Sequence, residues 1–215
     1  MLQRIHRLNG MKKVVLIGDS IRMIGYGNTV AERLSDEFEV WQPDDNCRFA
    51  QYTLRGLWDW QDGIRGADII HWNNGLWDVC HLFGDGEFTP KDEYVETMLR
   101  IARLLKERAA TVIFATTTPV RPENAHNKNE VIEAYNDALV PRLKEMGVVI
   151  NDLYTPISQD VYKYVCEDMI HLSDDGISLA AEMVEAVIRK EAEKIKDEGN
   201  AKLDSVNNAS IGAPV

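Results

Sequence analysis

Val14-Val15-Leu16-Ile17-Gly18-Asp19-Ser20 is the stretch on which the fold turns. Four consecutive apolar residues ended by a glycine read as a buried strand that stops at a loop. Outward from it the pattern repeats, with helical stretches between the runs. Phe38-Glu39-Val40-Trp41 follows a periodic stretch near Val30 to Leu34, and residues 68–72 run into Asn73-Asn74-Gly75. Residues 111–115 end in Thr116-Thr117-Thr118-Pro119, and Val148-Val149-Ile150 ends at Asn151-Asp152. Short apolar runs alternating with helix-period stretches are the mark of βα units, so the chain is expected to be α/β, a three-layer α/β/α sandwich on a parallel five-stranded sheet.

The helices carry their own signals. Thr89-Pro90 offers an N-cap and a proline at the first helical position, after which Tyr94, Met98, Ile101, Ala102 and Leu105 recur at helical spacing. A second helix is predicted over residues 129–146, with Pro141 either kinking it or marking its weaker last turn. Ser173 caps a third, with Ile177, Ala180, Met183, Val184, Val187 and Ile188 on one face. Met11-Lys12-Lys13 reads as a second start, which makes residues 1–10 an N-terminal extension. Residues 11–198 then form one catalytic domain, and the polar, aperiodic residues 199–215 are expected to be a disordered tail.

Composition narrows the function. A chain of 215 residues that is 45% hydrophobic is long enough for one sizeable core. With 24 Lys and Arg against 35 Asp and Glu, the net charge of −11 argues against nucleic acid and against an anionic membrane surface as partners. No run approaches the roughly 18 apolar residues of a membrane span, and the first residues lack a signal-peptide core, so a cytoplasmic protein is expected. Cys47, Cys80 and Cys166 are widely spaced and form no C-x-x-C pair, and Cys47 and Cys166 read as packing thiols. The oligomeric state is left open, a homo-oligomer included.

In an open parallel sheet, chemistry gathers at the carboxyl ends of the strands. Ser20 lies just past the first strand, Asn73 and Asn74 past the third, Thr116 to Thr118 past the fourth, and Asp168 and His171 in the loop before the last helix. A serine hydroxyl becomes a nucleophile when an imidazole takes its proton, and His171 is the candidate. Its other nitrogen needs a carboxylate, which Asp168, three residues earlier, can supply within one turn. The oxyanion formed on the attacked carbonyl needs fixed donors, for which the Ser20 backbone N–H and the Asn73 side-chain amide are placed. Asn74 remains as an alternative register.

Ile17-Gly18-Asp19-Ser20 together with Asp168-Met169-Ile170-His171 resembles blocks I and V of the SGNH (GDSL-like) hydrolases. His71-Trp72-Asn73-Asn74-Gly75-Leu76-Trp77-Asp78 is similar to block III in one branch of that family, as are residues 115–120 and 151–154 to further segments of it. The resemblance spans roughly residues 13–190, in order. It implies a flavodoxin-like sheet of strand order 2-1-3-4-5 and an acyl-enzyme mechanism with no cofactor and no metal. Ser20 would be the nucleophile, His171 the base, Asp168 its orienting acid and Asn73 an oxyanion donor. It also implies an ester of a small or carbohydrate alcohol as substrate, with Asp19, Arg48, Trp72, Trp77 and Thr117 as candidate substrate contacts. The block II glycine has no counterpart in residues 46–51, Gly56 being the nearest.

Duller readings compete at each site. His71 could join Asp78, His81 and Cys80 around a metal, although the spacing lacks a tetrahedral signature and His71 more simply orders the loop around Asn73. Trp58, Trp60, Trp72 and Trp77 could stack on a sugar ring or fill a core. The leading expectation is a short-chain acylesterase that removes acetyl groups from a carbohydrate. A lipase, lysophospholipase or thioesterase for longer chains is the alternative within the class, and a non-catalytic carbohydrate-binding module the alternative outside it.

Overall fold

The computed structural model describes residues 10–211, with side chains over 10–195. Among these residues the strands are β1 (Lys12–Gly18), β2 (Phe38–Trp41), β3 (Ile69–Asn73), β4 (Thr111–Ala115) and β5 (Val149–Asn151), and all pair in parallel in the order β2-β1-β3-β4-β5. This is the strand order expected. The runs Val14–Ile17, Ile69–Trp72 and Val112–Ala115 are wholly buried because helices cover both faces of the central strands.

The described helices are α1 (Gly27–Leu34), α2 (Ala50–Asp59), α3 (Gln61–Ile64), α4 (Lys91–Lys106), α5 (Asn129–Glu145), α6 (Tyr154–Ser158), α7 (Val161–Tyr164) and α8 (Asp174–Ile211). A π-helical turn, Ile21–Tyr26, joins β1 to α1. Helix α1 packs against α8, while α4 packs between α2 and α5. Helix α8 begins as expected, with Ser173 Oγ accepting the Gly176 N–H at 3.2 Å.

Two local expectations change, at the start of α4 and at the end of α8. Pro90 is the N-cap of α4, in extended conformation at ψ 140°, so the helix starts one residue later than its proline suggests. Helix α5 covers nearly the span expected and runs on through Pro141 to Glu145, with buried Leu139 and Leu143 on both sides of the missing N–H. Helix α8 continues through residues 199–211, where a disordered tail was expected; that run has no proline before Pro214. Residues 1–9 and 212–215, which hold the remainder of the two terminal segments, lie outside the described residues. No helix of the described residues is long and apolar enough to cross a membrane.

Strand register builds the platform for the site. Gly18 stands opposite Asn73, Asn73 opposite Ala115, and Ala115 opposite Asn151, a single row along the carboxyl edge. Ser20 follows Gly18 by two residues and Asn73 ends β3 in that row, while helix α8, which begins just after the Asp168–His171 loop, packs against the π-helical turn.

Candidate active site

Ser20 opens the π-helical turn with helical backbone angles (φ −61°, ψ −26°), which sets its N–H at the start of a turn next to the carboxyl end of β1. Across from it, Asp168 binds the backbone N–H groups of Ile170 and His171 through Oδ1, at 3.0 and 2.9 Å, and lies 2.7 Å from His171 Nδ1 through Oδ2. Partial burial alone would raise the Asp168 carboxyl, but those two N–H groups and the imidazole outweigh it and hold the pKa below its usual value. The contact places the His171 proton on Nδ1 and leaves Nε2 to accept. Among the described residues no hydrogen bond joins Ser20 Oγ to His171. Such bonds are often long in a free enzyme and tighten on substrate. A Cβ placed on Gly25 of the π-helical turn would lie 3.9 Å from Leu172, so the residue after His171 packs beside the turn that Ser20 opens, and the imidazole is among the charges that pull on the Asp19 carboxyl.

Asp19 itself is buried. Its Oδ1 accepts the Ile21 N–H at 3.0 Å and Asn73 Nδ2 at 2.7 Å, while Oδ2 has no partner among the described residues. Burial pushes its carboxyl up to about 6, against the pull of Ile21, Asn73, Arg22 and His171. Asp19, expected as a substrate contact, therefore works from below the surface on Asn73.

The two adjacent asparagines separate cleanly. Side chains of a strand alternate between faces, so His71 and Asn73 share one face while Trp72 and Asn74 share the other. Asn73 meets Asp19 and Tyr26, whose hydroxyl donates to Asn73 Oδ1 at 2.8 Å. Asn74 accepts from Thr53 Oγ1 at 2.9 Å and from Trp72 Nε1 at 2.7 Å, and donates to the Arg48 carbonyl at 2.7 Å. Asn73 is thus beside Ser20's turn, and Asn74 is a clamp on residues 47–53. A methyl at Gly18 would run into the Asn73 carbonyl oxygen, which is why the residue opposite Asn73 is glycine.

The segment that stands for block II is held by several buried ties. Cys47 N donates to the Gly18 carbonyl at 3.1 Å, and Gly18 N donates back to Cys47 Sγ at 3.2 Å. Burial drives that thiol up to about 12, so Cys47 is a packing group, as expected. Arg22, which the sequence reading passed over, is buried and donates to Gln42 Oε1 and to the carbonyls of Gly18, Pro43 and Asp45 at 2.6 to 3.2 Å. Arg48 adopts a left-handed φ of 49°, the conformation a glycine would supply, with an Asx turn from Asn46 Oδ1 to its N–H at 2.8 Å. Gly56 plays no part in the site: it makes room for the Trp60 ring.

Asp78 closes the same segment from behind. Both of its oxygens lie 3.1 Å from the Ala50 N–H at the start of α2, and burial pushes its carboxyl from 3.8 to about 7 against that N–H and Thr89. A carboxyl raised on folding contributes stability at low pH and loses it as pH rises through its folded value. Between pH 5 and 8 this single group is expected to remove about 2–3 kcal/mol from the folded state. Asp78→Asn should therefore gain that amount relative to wild type over the same interval, read by urea unfolding at both pH values. Parallel stability curves for the two proteins would rule the buried ionisation out.

Other expected contacts move. Trp72 is wholly buried, its ring edge-on to Phe114 at 5.0 Å between centroids, and so is a core residue that no sugar can reach. Thr117 is buried too, its hydroxyl donating to the Asn74 carbonyl at 2.9 Å. Trp77 stays 41% exposed on the loop after β3, and Arg48 lies exposed over the Tyr52 ring. Trp58 is 66% exposed but lines a groove between α2 and α4, and Trp60 packs on Gly56. The four tryptophans thus do not form one cluster. Nor do the four metal candidates: His71 turns to Tyr26 and Asn151, Asp78 to Ala50, Cys80 to the Trp77 carbonyl, and His81 pairs with His126 through its backbone.

Known proteins bear on this arrangement. No family model matches the chain. It is 30% identical to GDSL esterase/lipase WDL1 of Oryza sativa subsp. japonica over 86% of this chain and 80% of the relative. It is 26% identical to GDSL esterase/lipase CPRD49 of Arabidopsis thaliana over 84% and 80%. Among solved structures, acetyl xylan esterase AlAXEase superposes with a TM-score of 0.69 at 18% identity, over 82% of this chain and 99% of that one. Axe2, an acetylxylan esterase from Geobacillus stearothermophilus, gives 0.63 at 15% identity, over 84% and 93%.

Proposed function

This chain belongs to the GDSL esterase/lipase family of serine ester hydrolases, and from that premise we propose that Ser20, His171 and Asp168 carry an acyl-enzyme reaction on short acyl esters, with Asn73 and the Ser20 N–H as oxyanion donors. The observation that supports the proposal is the 2.7 Å Asp168–His171 pair, on the loop that leads into α8, the helix that packs against the turn opened by Ser20.

In the first half of this reaction Ser20 Oγ bonds to the acyl carbonyl carbon as its proton passes to His171 Nε2, and the carbonyl oxygen becomes an oxyanion. One hydrogen of Asn73 Nδ2 is committed to Asp19, and the second is directed at that oxygen together with the Ser20 N–H. The proton on His171 then goes to the departing alcohol as the C–O bond breaks. Water, deprotonated by the same imidazole, attacks the acyl-Ser20 ester, and the acid leaves with Ser20 restored. Asp168 stays ionised throughout and holds the imidazole in register, which its lowered pKa favours.

The substrate we propose is an acetylated saccharide or similar small alcohol ester. The chain's acidity disfavours anionic partners, Trp77 offers an exposed aromatic face on the loop after β3, and two structures of the same fold carry the name acetyl xylan esterase. On 4-nitrophenyl esters of increasing length, kcat/KM is expected to be highest for acetate and to fall roughly ten-fold or more by octanoate, with acetate released from acetylated xylo-oligosaccharides. A maximum at eight carbons or beyond would favour the lipase alternative. No turnover on any ester would favour the binding module.

A further inference from the structure

Asn73 carries a difficulty common to every amide donor. Half a turn of its side chain exchanges N for O, and the exchanged form would aim a carbonyl at the developing negative charge. Something must hold the amide the right way round.

Four other buried groups surround it in one line. Asn151 Nδ2 lies 3.3 Å from His71 Nε2, His71 Nδ1 lies 3.5 Å from the Tyr26 hydroxyl, that hydroxyl donates to Asn73 Oδ1 at 2.8 Å, and Asn73 Nδ2 donates to Asp19 at 2.7 Å. The direction of each bond follows from the one before. Asn151 Nδ2 has only hydrogens to offer, so His71 Nε2 accepts and the imidazole proton sits on Nδ1. Nδ1–H then donates to the Tyr26 oxygen, and the single phenolic proton goes to Asn73 Oδ1. Burial lowers the His71 pKa to about 3, so the ring stays neutral and keeps this one tautomer across the working range. His71 and Asn73 are on the same strand face because they are two residues apart, and the π-helical turn after Ser20 brings Tyr26 under both, its ring edge-on to His71 at 5.6 Å.

We propose that Tyr26 and His71 are positioning residues, a relay anchored on Asn151 that sets the orientation of the Asn73 amide toward the reacting carbonyl. The relay rests on the oxyanion role assigned to Asn73 above.

A double-mutant cycle on 4-nitrophenyl acetate tests it. Tyr26→Phe is expected to lower kcat roughly 10- to 100-fold with KM within about two-fold, and Asn73→Ala to lower it roughly 10²- to 10³-fold. Adding Tyr26→Phe to Asn73→Ala should cost nothing more, because the relay acts through the amide alone. Wild-type kcat in Tyr26→Phe, or the same further loss in the Asn73→Ala background, overturns the relay. Full kcat in Asn73→Ala identifies the oxyanion reading as the failure, and the relay falls with it. Should Tyr26→Phe not fold, His71→Asn, which keeps a donor near the Nδ1 position, is expected to hold kcat near wild type while His71→Leu falls at least ten-fold. Equal kcat in those two variants overturns the relay as well.

Discussion

Ser20→Ala is expected to lower kcat on a chromogenic acetate ester by about 10⁴-fold or more while shifting the melting temperature by no more than a few degrees. The two halves of that statement have separate grounds. Removing a nucleophile takes away the covalent route, leaving only what binding and the oxyanion donors achieve on their own. The fold, by contrast, loses little, since Ser20 is only half-buried and its hydroxyl makes no hydrogen bond among the described residues. A large kinetic loss with an intact fold is therefore a report on chemistry alone. Turnover within ten-fold of wild type would remove Ser20 from the mechanism.

His171→Ala should cost nearly as much, roughly 10³- to 10⁵-fold in kcat, and the informative result is the pair of substitutions made together. Nucleophile and base act as one device: without the imidazole the hydroxyl keeps its proton, and without the hydroxyl the imidazole has nothing to deprotonate. Ser20→Ala with His171→Ala is thus expected to be no slower than Ser20→Ala alone. Losses that multiply would mean that the two residues serve different steps. The imidazole is 30% exposed at its side chain and, among the described residues, bonded only to Asp168, so its removal disturbs one ion pair of modest worth to stability.

The sheet was legible because its strands are short apolar runs with polar or glycine stops. β2 and β4 have the bounds expected, and β1, β3 and β5 differ by one or two residues at each end. Helices α4, α5 and α8 were legible for the same kind of reason, each having a long apolar stripe. Helix α2 was not, because its buried face is built from Ala50, Thr53, Gly56 and Leu57, which mixes small and polar residues and blurs the period. At the site, Ser20 and the Asp168–His171 pair could be proposed because each is a local motif. Trp72 was misjudged as a sugar platform through its residue type. The signal that would have corrected it was present, since assigning Asn73 to the site puts Trp72 on the opposite face of the same strand. Tyr26, Arg22 and Asp78 had no such signal. Their partners lie across the fold, at Asn73, the Pro43–Asp45 loop and Ala50, and only tertiary structure brings them into contact.

The alternation of β3 turns two chemically identical neighbours into parts that cannot replace one another. Asn73 faces the Ser20 turn, whereas Asn74 fastens the Arg48 segment through its carbonyl. Over evolutionary time this divides the kinds of change the chain can absorb. Point substitutions in β3 are tested one side chain at a time, but inserting or deleting a single residue in that strand exchanges both asparagines across the sheet at once, unfastening the loop and emptying the donor position in one step. Length variation is therefore expected at places such as the Gly84–Gly86 loop tip, where a side chain would meet open space and nothing depends on parity.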